Sequence, residues 1–317
     1  ADVSLAEYPP LVRSLLFHRG ITDTEAAARF LAPDYVRDTH DPFLMKDMER
    51  AVERILVAIA RGECIVIYND YDWDGIPGGV ILHDFFKKIG YSNFTNYVPH
   101  RYSEGYGLNR EAIEQFRVDG VRLVITVDCG ITDVEEVALA GESGIDVIIT
   151  DHHLPLVDAA TGQQVIPRAC AVINNKQHDD HYPFKELCGA GTAFKLVQGL
   201  LQHMRNGQGA PKIAVPPEGW EKWLLDMAGL ATIADMVPLQ GENRVFAHFG
   251  LTVLRKSRRP GLQHLLRLAR VSQSSLSEDD VGFMVAPRIN AASRMGEPSE
   301  ALRLLATSDA LEGGALA

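Results

Sequence analysis

No C-x-x-C pair occurs among the four cysteines, Cys64, Cys129, Cys170 and Cys188, which lie far apart along the 317 residues. That spacing argues against a zinc knuckle and a disulfide framework, and for a reducing compartment. Long hydrophobic runs are also missing. The longest uncharged apolar stretches are strand-sized, so none reads as a membrane span. Residues 1–20 lack the basic start, apolar centre and small-residue cleavage site of a signal peptide, and a cytoplasmic location is expected. Because the sequence begins with Ala rather than Met, a processed or trimmed chain is expected too. There is no G-x-S-x-G elbow, no P-loop and no G-x-G-x-x-G, so serine-nucleophile, NTPase and dinucleotide readings have no support. Positive charge is in deficit, with a formal net charge of −11. This is awkward for a nucleic-acid binder, though divalent ions change a local field and basic residues can cluster. Arg255, Lys256, Arg258 and Arg259 form one such run; the alternative for it is a solvated surface.

An apolar content of 46% and a charged content of 23% are those of a globular protein with a large core. Residues 4–60 carry apolar residues at three- and four-residue spacing and read as a helical lead-in, with Thr22 or Asp23 as an N-cap and Gly20 as a stop. From Cys64 the pattern becomes strand–helix alternation. Strands are expected at CIVIY, Phe94–Val98, VRLVITV and IDVIIT, with helices over Gly78–Ile89, Asn109–Phe116 and VEEVALAGESG between them. CAVINN reads as an edge strand, and Gly189, Gly191 and Thr192 open a further helix. Residues 207–219 are rich in Pro and Gly and read as a linker or surface loop. The remainder is mostly helical, interrupted by VAPRINAASRMG. Regular alternation of apolar strands with helices implies an α/β fold with a doubly wound, mostly parallel sheet. The expected division is a helical lead-in over 1–60, an α/β domain over 61–250 and a helical segment over 251–317.

The stretch CIVIYNDYDWDGIPGG sets Asp70, Asp72 and Asp74 directly after an apolar strand. Three carboxylates within five residues repel one another, and a hard cation with a preference for oxygen ligands removes that cost. A solvated acidic turn is the alternative. An EF-hand loop is excluded, since its twelfth position here is Ile81 and a strand, not a helix, precedes it. Two more strands end on the same kind of residue: VRLVITV on Asp128, and IDVIIT on Asp151, His152 and His153. In open parallel sheets such ends converge on one edge. A helix further on runs into Asp235.

Asp70, Asp72, Asp74, Asp128, one of the two histidines and Asp235 are too many ligands for one Mg²⁺, and they suit two ions about 4 Å apart with one bridging carboxylate. Asp128, arriving alone from a central strand, is the candidate bridge. Such a pair serves hydrolysis of a phosphoester or phosphoanhydride. Adjacent side chains of a strand face opposite ways, so one histidine is expected to bind metal and the other to contact the scissile phosphate or protonate a leaving oxygen. Asp151 would orient an imidazole. Arg101, Arg288 and Arg294 sit in glycine-, proline- or small-residue-rich segments read as loops and are candidate phosphate donors, as are the amides at Gly189–Thr192. His178, Asp179, Asp180 and His181 resemble a metal cluster but have no strand to position them. Cys129 reads as a small buried thiol.

NDYDWDG, VDCGI, the DHH triplet at Asp151–His153 and ADMVPL resemble, in order, the four motifs of the DHH phosphoesterase superfamily. PHRYSEGYGL and PRINAASRMG, with the lead-in RGITDTEAAARFL, are similar to RecJ-like proteins. That resemblance implies a 5′-to-3′ single-stranded-DNA exonuclease using two Mn²⁺ or Mg²⁺ ions, acting in repair and recombination with DNA carrying a 5′ end and with repair or replication proteins as partners. It implies Asp70, Asp72, Asp74, Asp128, His152 and Asp235 as metal ligands, with His153 on the substrate phosphate. Two positions depart from the pattern: Tyr68 stands where some members have a ligating His, and Trp73 replaces a small residue, which would narrow the mouth or offer a base-stacking platform. RecJ-like exonucleases continue into a C-terminal substrate domain, so the helices of 251–317 are expected to lead towards one. A phosphodiesterase on short RNA, cyclic dinucleotides or pyrophosphate is a second reading. A non-catalytic replication scaffold is a third, but a scaffold would be expected to lose acidic ligands, and every matched one is present.

Overall fold

The structure, a computed structural model, describes residues 5–208 and 213–317. Residues 209–212 of the expected 207–219 loop, and 1–4 of the lead-in, lie outside the described residues. Helices α1 (Pro10–His18), α2 (Thr24–Leu31) and α3 (Met48–Arg61) form the lead-in. The Asp23 side chain caps α2 by accepting the Ala26 N–H. Then follow β1 (Cys64–Asn69), α4 (Gly75–Lys88), β2 (Phe94–Tyr97), α5 (Arg110–Val118), β3 (Val121–Val127), α6 (Val134–Glu142) and β4 (Asp146–Thr150). A small antiparallel pair, β5 (Leu156–Val157) and β6 (Gln164–Val165), precedes β7 (Ala171–Ile173) and α7 (Gly189–His203).

The main sheet has the order β2-β1-β3-β4-β7, and every pairing in it is parallel. Its inner strands β1, β3 and β4 are buried on both faces, which is why they read as apolar, Val/Ile-rich runs rather than as alternation, whereas the edge strand β2 is partly exposed. The chain order reverses between β1 and β3, so a crevice opens beyond the carboxyl ends of those strands. α5 and α6 cover one face, with Val66, Val124, Ile113 and Val137 in the same cluster. On the other face lies the larger core, where α3, α4 and α7 join α8 (Leu225–Ala234), α9 (Gly241–Leu254), α10 (Pro260–Leu268) and α12 (Pro298–Ala306). Met48 and Val52 of α3 belong to that core, so α3 buttresses the sheet, while Leu16 of α1 and Ala27 of α2 pack in a separate small cluster. No helix among the described residues is long and apolar enough to cross a membrane.

One expected loop is a helix. Residues Ala286–Met295 form α11, between α10 and α12, with Pro287 in its first turn, where a missing N–H costs nothing. Ile289 and Ser293 point inward one turn apart. Arg288 and Arg294 therefore stand on a helix rather than in a flexible segment.

Candidate metal centre

Three strand ends deliver the acidic groups, and the parallel ladder continues one residue past each strand. The N–H of Asp70 donates to Val127 C=O (3.1 Å), that of Asp128 to Thr150 C=O (2.9 Å) and that of Asp151 to Ile173 C=O (3.1 Å). Each carboxylate thus leaves a backbone that is already fixed. Asp72 lies in the turn before α4, its Oδ1 accepting the Asp74 and Gly75 N–H groups at 2.9 and 3.2 Å. Asp74 is fully enclosed; it accepts N–H bonds from Gly189 (2.5 Å) and Ala190 (2.7 Å) at the start of α7. Those amides, expected to be free for a phosphate, are occupied by a carboxylate at the positive end of a helix.

Among the described residues, three sets of groups each bring their ligand atoms within 4.8 Å of one another: Asp70, Asp72 and Asp128; Asp74, His152 and Asp235; and Asp128, His152 and His153. Asp128 belongs to two of them. His152 Nε2 lies 3.2 Å from Asp128 Oδ1 and 3.4 Å from Asp74 Oδ2. Two buried oxygens, Asp70 Oδ1 and Asp128 Oδ1, make no hydrogen bond. An orphaned carboxylate oxygen away from water is costly unless a cation meets it. The proton affinities carry the same signature. Burial, then the charge of Asp72, lifts Asp70 to about 8. Burial, then Asp74, lifts Asp235 to about 7. Burial, then Asp74, Asp72 and Asp70, drives Asp128 well above the carboxylate range. This donor set cannot ionise together without positive charge, and oxygen-rich ligation with one imidazole fits Mg²⁺ or Mn²⁺.

The two histidines do not face opposite ways. β4 ends at Thr150, so the period-two rule no longer applies, and Asp151 Oδ1 gathers the N–H groups of both His152 (2.7 Å) and His153 (3.1 Å). The rings sit side by side, their centroids 4.5 Å apart. Asp151 Oδ1 also lies 2.8 Å from His153 Nδ1, and its Oδ2 accepts the Ile131 N–H at 3.0 Å. Burial would raise Asp151, but the imidazole and these N–H groups outweigh it and hold the carboxyl low. The Asp151 contact in turn raises His153.

Among the arginines, Arg101 stacks its guanidinium 4.4 Å from the Tyr71 ring, beside the acidic turn. Arg294 C=O accepts from Tyr102 Oη at 3.3 Å, which ties α11 to the loop that carries Arg101. Arg288 donates to Met284 C=O and lines a separate hollow with Leu265, Leu268 and Leu316. Trp73 is buried in the main core and offers no exposed face for a base. Tyr68 is fully buried, and its hydroxyl donates to Gly107 C=O at 2.7 Å. Asp180 is buried, accepts the Lys46 and Tyr182 N–H groups and pairs with Lys185, while Asp179 pairs with Lys46; that acidic run is a brace. Of the basic run, Arg259 is enclosed between Asp84 and Asp226, while Arg255 donates to Leu276 C=O from an exposed position beside the exposed Lys256 and Arg258. Cys129 is a buried thiol. Sequence reasoning did not single out Tyr106, whose hydroxyl donates to Asp128 C=O (2.9 Å) and lies 3.2 Å from His153 Nδ1. A tyrosine in a glycine-rich loop carries no signal of its own.

The model of the DHH family, N-terminal domain, matches residues 64–226, the stretch that holds β1 to the start of α8. The chain belongs to the DHH family. Its relatives include the single-stranded-DNA-specific exonuclease RecJ of Bacillus subtilis (strain 168), 42% identical over 97% of this chain and 36% of that protein. The protein of the same name from Escherichia coli (strain K12) is 35% identical over 98% of this chain and 52% of its own length. The DHH chain thus spans about half the length, or less, of these curated relatives. Among solved structures, RecJ in complex with Mn²⁺ from Thermus thermophilus matches with a TM-score of 0.75 at 31% identity, covering 99% of this chain and 42% of that one. A crystal structure of exonuclease RecJ bound to manganese matches at 0.71 and 36% identity, over 86% of this chain and 64% of that one. The doubly wound parallel architecture expected from strand–helix alternation is the one shared with these DHH relatives.

Proposed function

We propose that this chain is the catalytic core of a metal-dependent phosphodiesterase that removes nucleotides from the 5′ end of single-stranded DNA, in repair and recombination. The observation that carries the reading is the place of Asp128, whose carboxylate lies within ligand range of both the Asp70/Asp72 pair and His152. In this reading Asp70, Asp72, Asp74, Asp128, His152 and Asp235 hold two Mn²⁺ or Mg²⁺ ions. When bound, the ions lower the pKa of water and offset charge on the attacking and leaving oxygens. The chain's own residues do the rest. Asp74, locked by the Gly189 and Ala190 amides, supplies a carboxylate that cannot swing away. His153, braced by Asp151, directs its free Nε2 edge at a scissile phosphate oxygen. Arg101, fixed on Tyr71, and Arg294 grip neighbouring phosphates, and Arg288 would do so only for a strand extended along α11.

Residues 61–250 carry the chemistry, and the helices of 1–60 and 251–317 buttress it. The substrate and the polarity follow the likeness to RecJ proteins, and so do repair or replication proteins as partners and a cytoplasmic site of action. The test is incubation with Mn²⁺, with and without chelator, of single-stranded DNA labelled at the 5′ end, duplex DNA, short RNA and pyrophosphate. Mononucleotides released only from the first substrate, and only without chelator, are expected. Release confined to short RNA or pyrophosphate would move the substrate class, and equal release under chelation would remove the metal mechanism.

A further inference from the structure

We infer that Tyr106 is a positioning residue for the proposed hydrolysis, acting on His153; the inference rests on the phosphodiesterase reading above. The hydroxyl has two neighbours in the site. It donates to Asp128 C=O at 2.9 Å, so its single proton is committed. What it presents to His153 Nδ1, 3.2 Å away, is therefore an oxygen lone pair. Asp151 Oδ1, on the same nitrogen at 2.8 Å, is an acceptor as well. Two acceptors on one ring nitrogen make it the N–H side of the ring and leave Nε2 for the substrate. Asp151 alone sets a direction for the N–H bond but leaves the ring free to tilt about it. A second acceptor, together with the edge-to-face contact of the two rings (centroids 5.9 Å apart, planes at 76°), fixes that tilt.

The loop is built to hold Tyr106 there. The next residue, Gly107, has φ +82° and packs against the Asp133 carboxylate so closely that a Cβ would sit 2.5 Å from an oxygen. Gly107 C=O accepts the Tyr68 hydroxyl, and the Leu108 N–H donates to Asp133 Oδ2 at 2.7 Å. Glu104 fastens the other side through the His100 N–H (2.7 Å) and the Tyr97 hydroxyl. Tyr68 thus serves the substrate side by anchoring the loop.

The experiment is a double-mutant cycle on single-stranded DNA with Mn²⁺, using Tyr106→Phe alone and in a His153→Gln background. Tyr106→Phe is expected to lower kcat about tenfold with KM and Mn²⁺ affinity within about twofold of wild type, and to change the residual His153→Gln rate less than twofold. In the Mg²⁺-loaded chain, the His153 ring-nitrogen signals should shift in Tyr106→Phe while those of His152 hold. An unchanged kcat, an equal fall in both backgrounds, or Mn²⁺ affinity falling with kcat would overturn the inference; the last would mean that the hydroxyl acts through the Asp128 backbone. An active wild type with an indifferent Tyr106→Phe sinks this inference alone, whereas a wild type that cuts no phosphodiester sinks the function with it.

Discussion

Asp128 holds a backbone conformation that a residue with a Cβ rarely adopts, φ +63°. Left-handed geometry costs about 1 kcal/mol or more for such a residue and persists where its surroundings dictate it. Here the Asp128 N–H still bonds to β4 while the side chain turns back between the Asp70/Asp72 pair and the two histidines. Replacing Asp128 with Ala should abolish turnover, because both halves of the centre lose a shared ligand; steady-state rates near wild type would refute the bridging role. Arg101→Ala tests a different link. With its stack on Tyr71 lost, KM for single-stranded DNA should rise about tenfold while Mn²⁺ affinity by calorimetry stays near wild type.

Helix α7 begins where the sheet ends, and its first turn is shaped to the centre rather than to a substrate. Gly189 lies so near Asp128 that a Cβ would stand 2.6 Å from that residue's own Cβ. Gly189→Ala must therefore push α7 away from Asp74 and Asp128. The expected outcome is weaker Mn²⁺ binding together with a lower Tm, measured by calorimetry and thermal unfolding; an unperturbed variant would mean that the helix start can yield. Further along α7, Lys195 is wholly enclosed, 2.9 Å from the buried Glu242 of α9 and 2.6 Å from His40 C=O. Lys195→Met strands the Glu242 charge and should cost about 3–5 kcal/mol in denaturant unfolding.

Across the whole molecule, the acidic centre opposes folding until cations arrive. Asp70 and Asp235, raised to about 8 and about 7, hold protons in the folded chain that the unfolded chain, near the ordinary 3.8, has already released. The folded state binds more protons between about pH 4 and pH 8, so metal-free stability should fall as pH rises through that window. Added Mn²⁺ should flatten the fall, and at about a hundredfold over its Kd should contribute about 2.7 kcal/mol. Tm of chelator-treated and Mn²⁺-loaded protein from pH 5 to pH 8 checks both signs. A metal-free Tm that climbs towards pH 8 would show that these carboxylates do not share an enclosed space.

Sequence alone determined the alternation of apolar strands with helices, and with it which residues stand at strand ends: Asp70, Asp128 and Asp151 were legible because period and hydrophobicity are local properties. Tertiary structure decided what those ends meet. It spent the α7 amides on Asp74, turned His152 and His153 to the same side, enclosed Trp73 and Arg259, and made a helix of the segment that carries Arg288 and Arg294. It also brought Tyr106 to His153 across 47 positions. Contacts of that span depend on how whole elements pack, and no local pattern of residues encodes them.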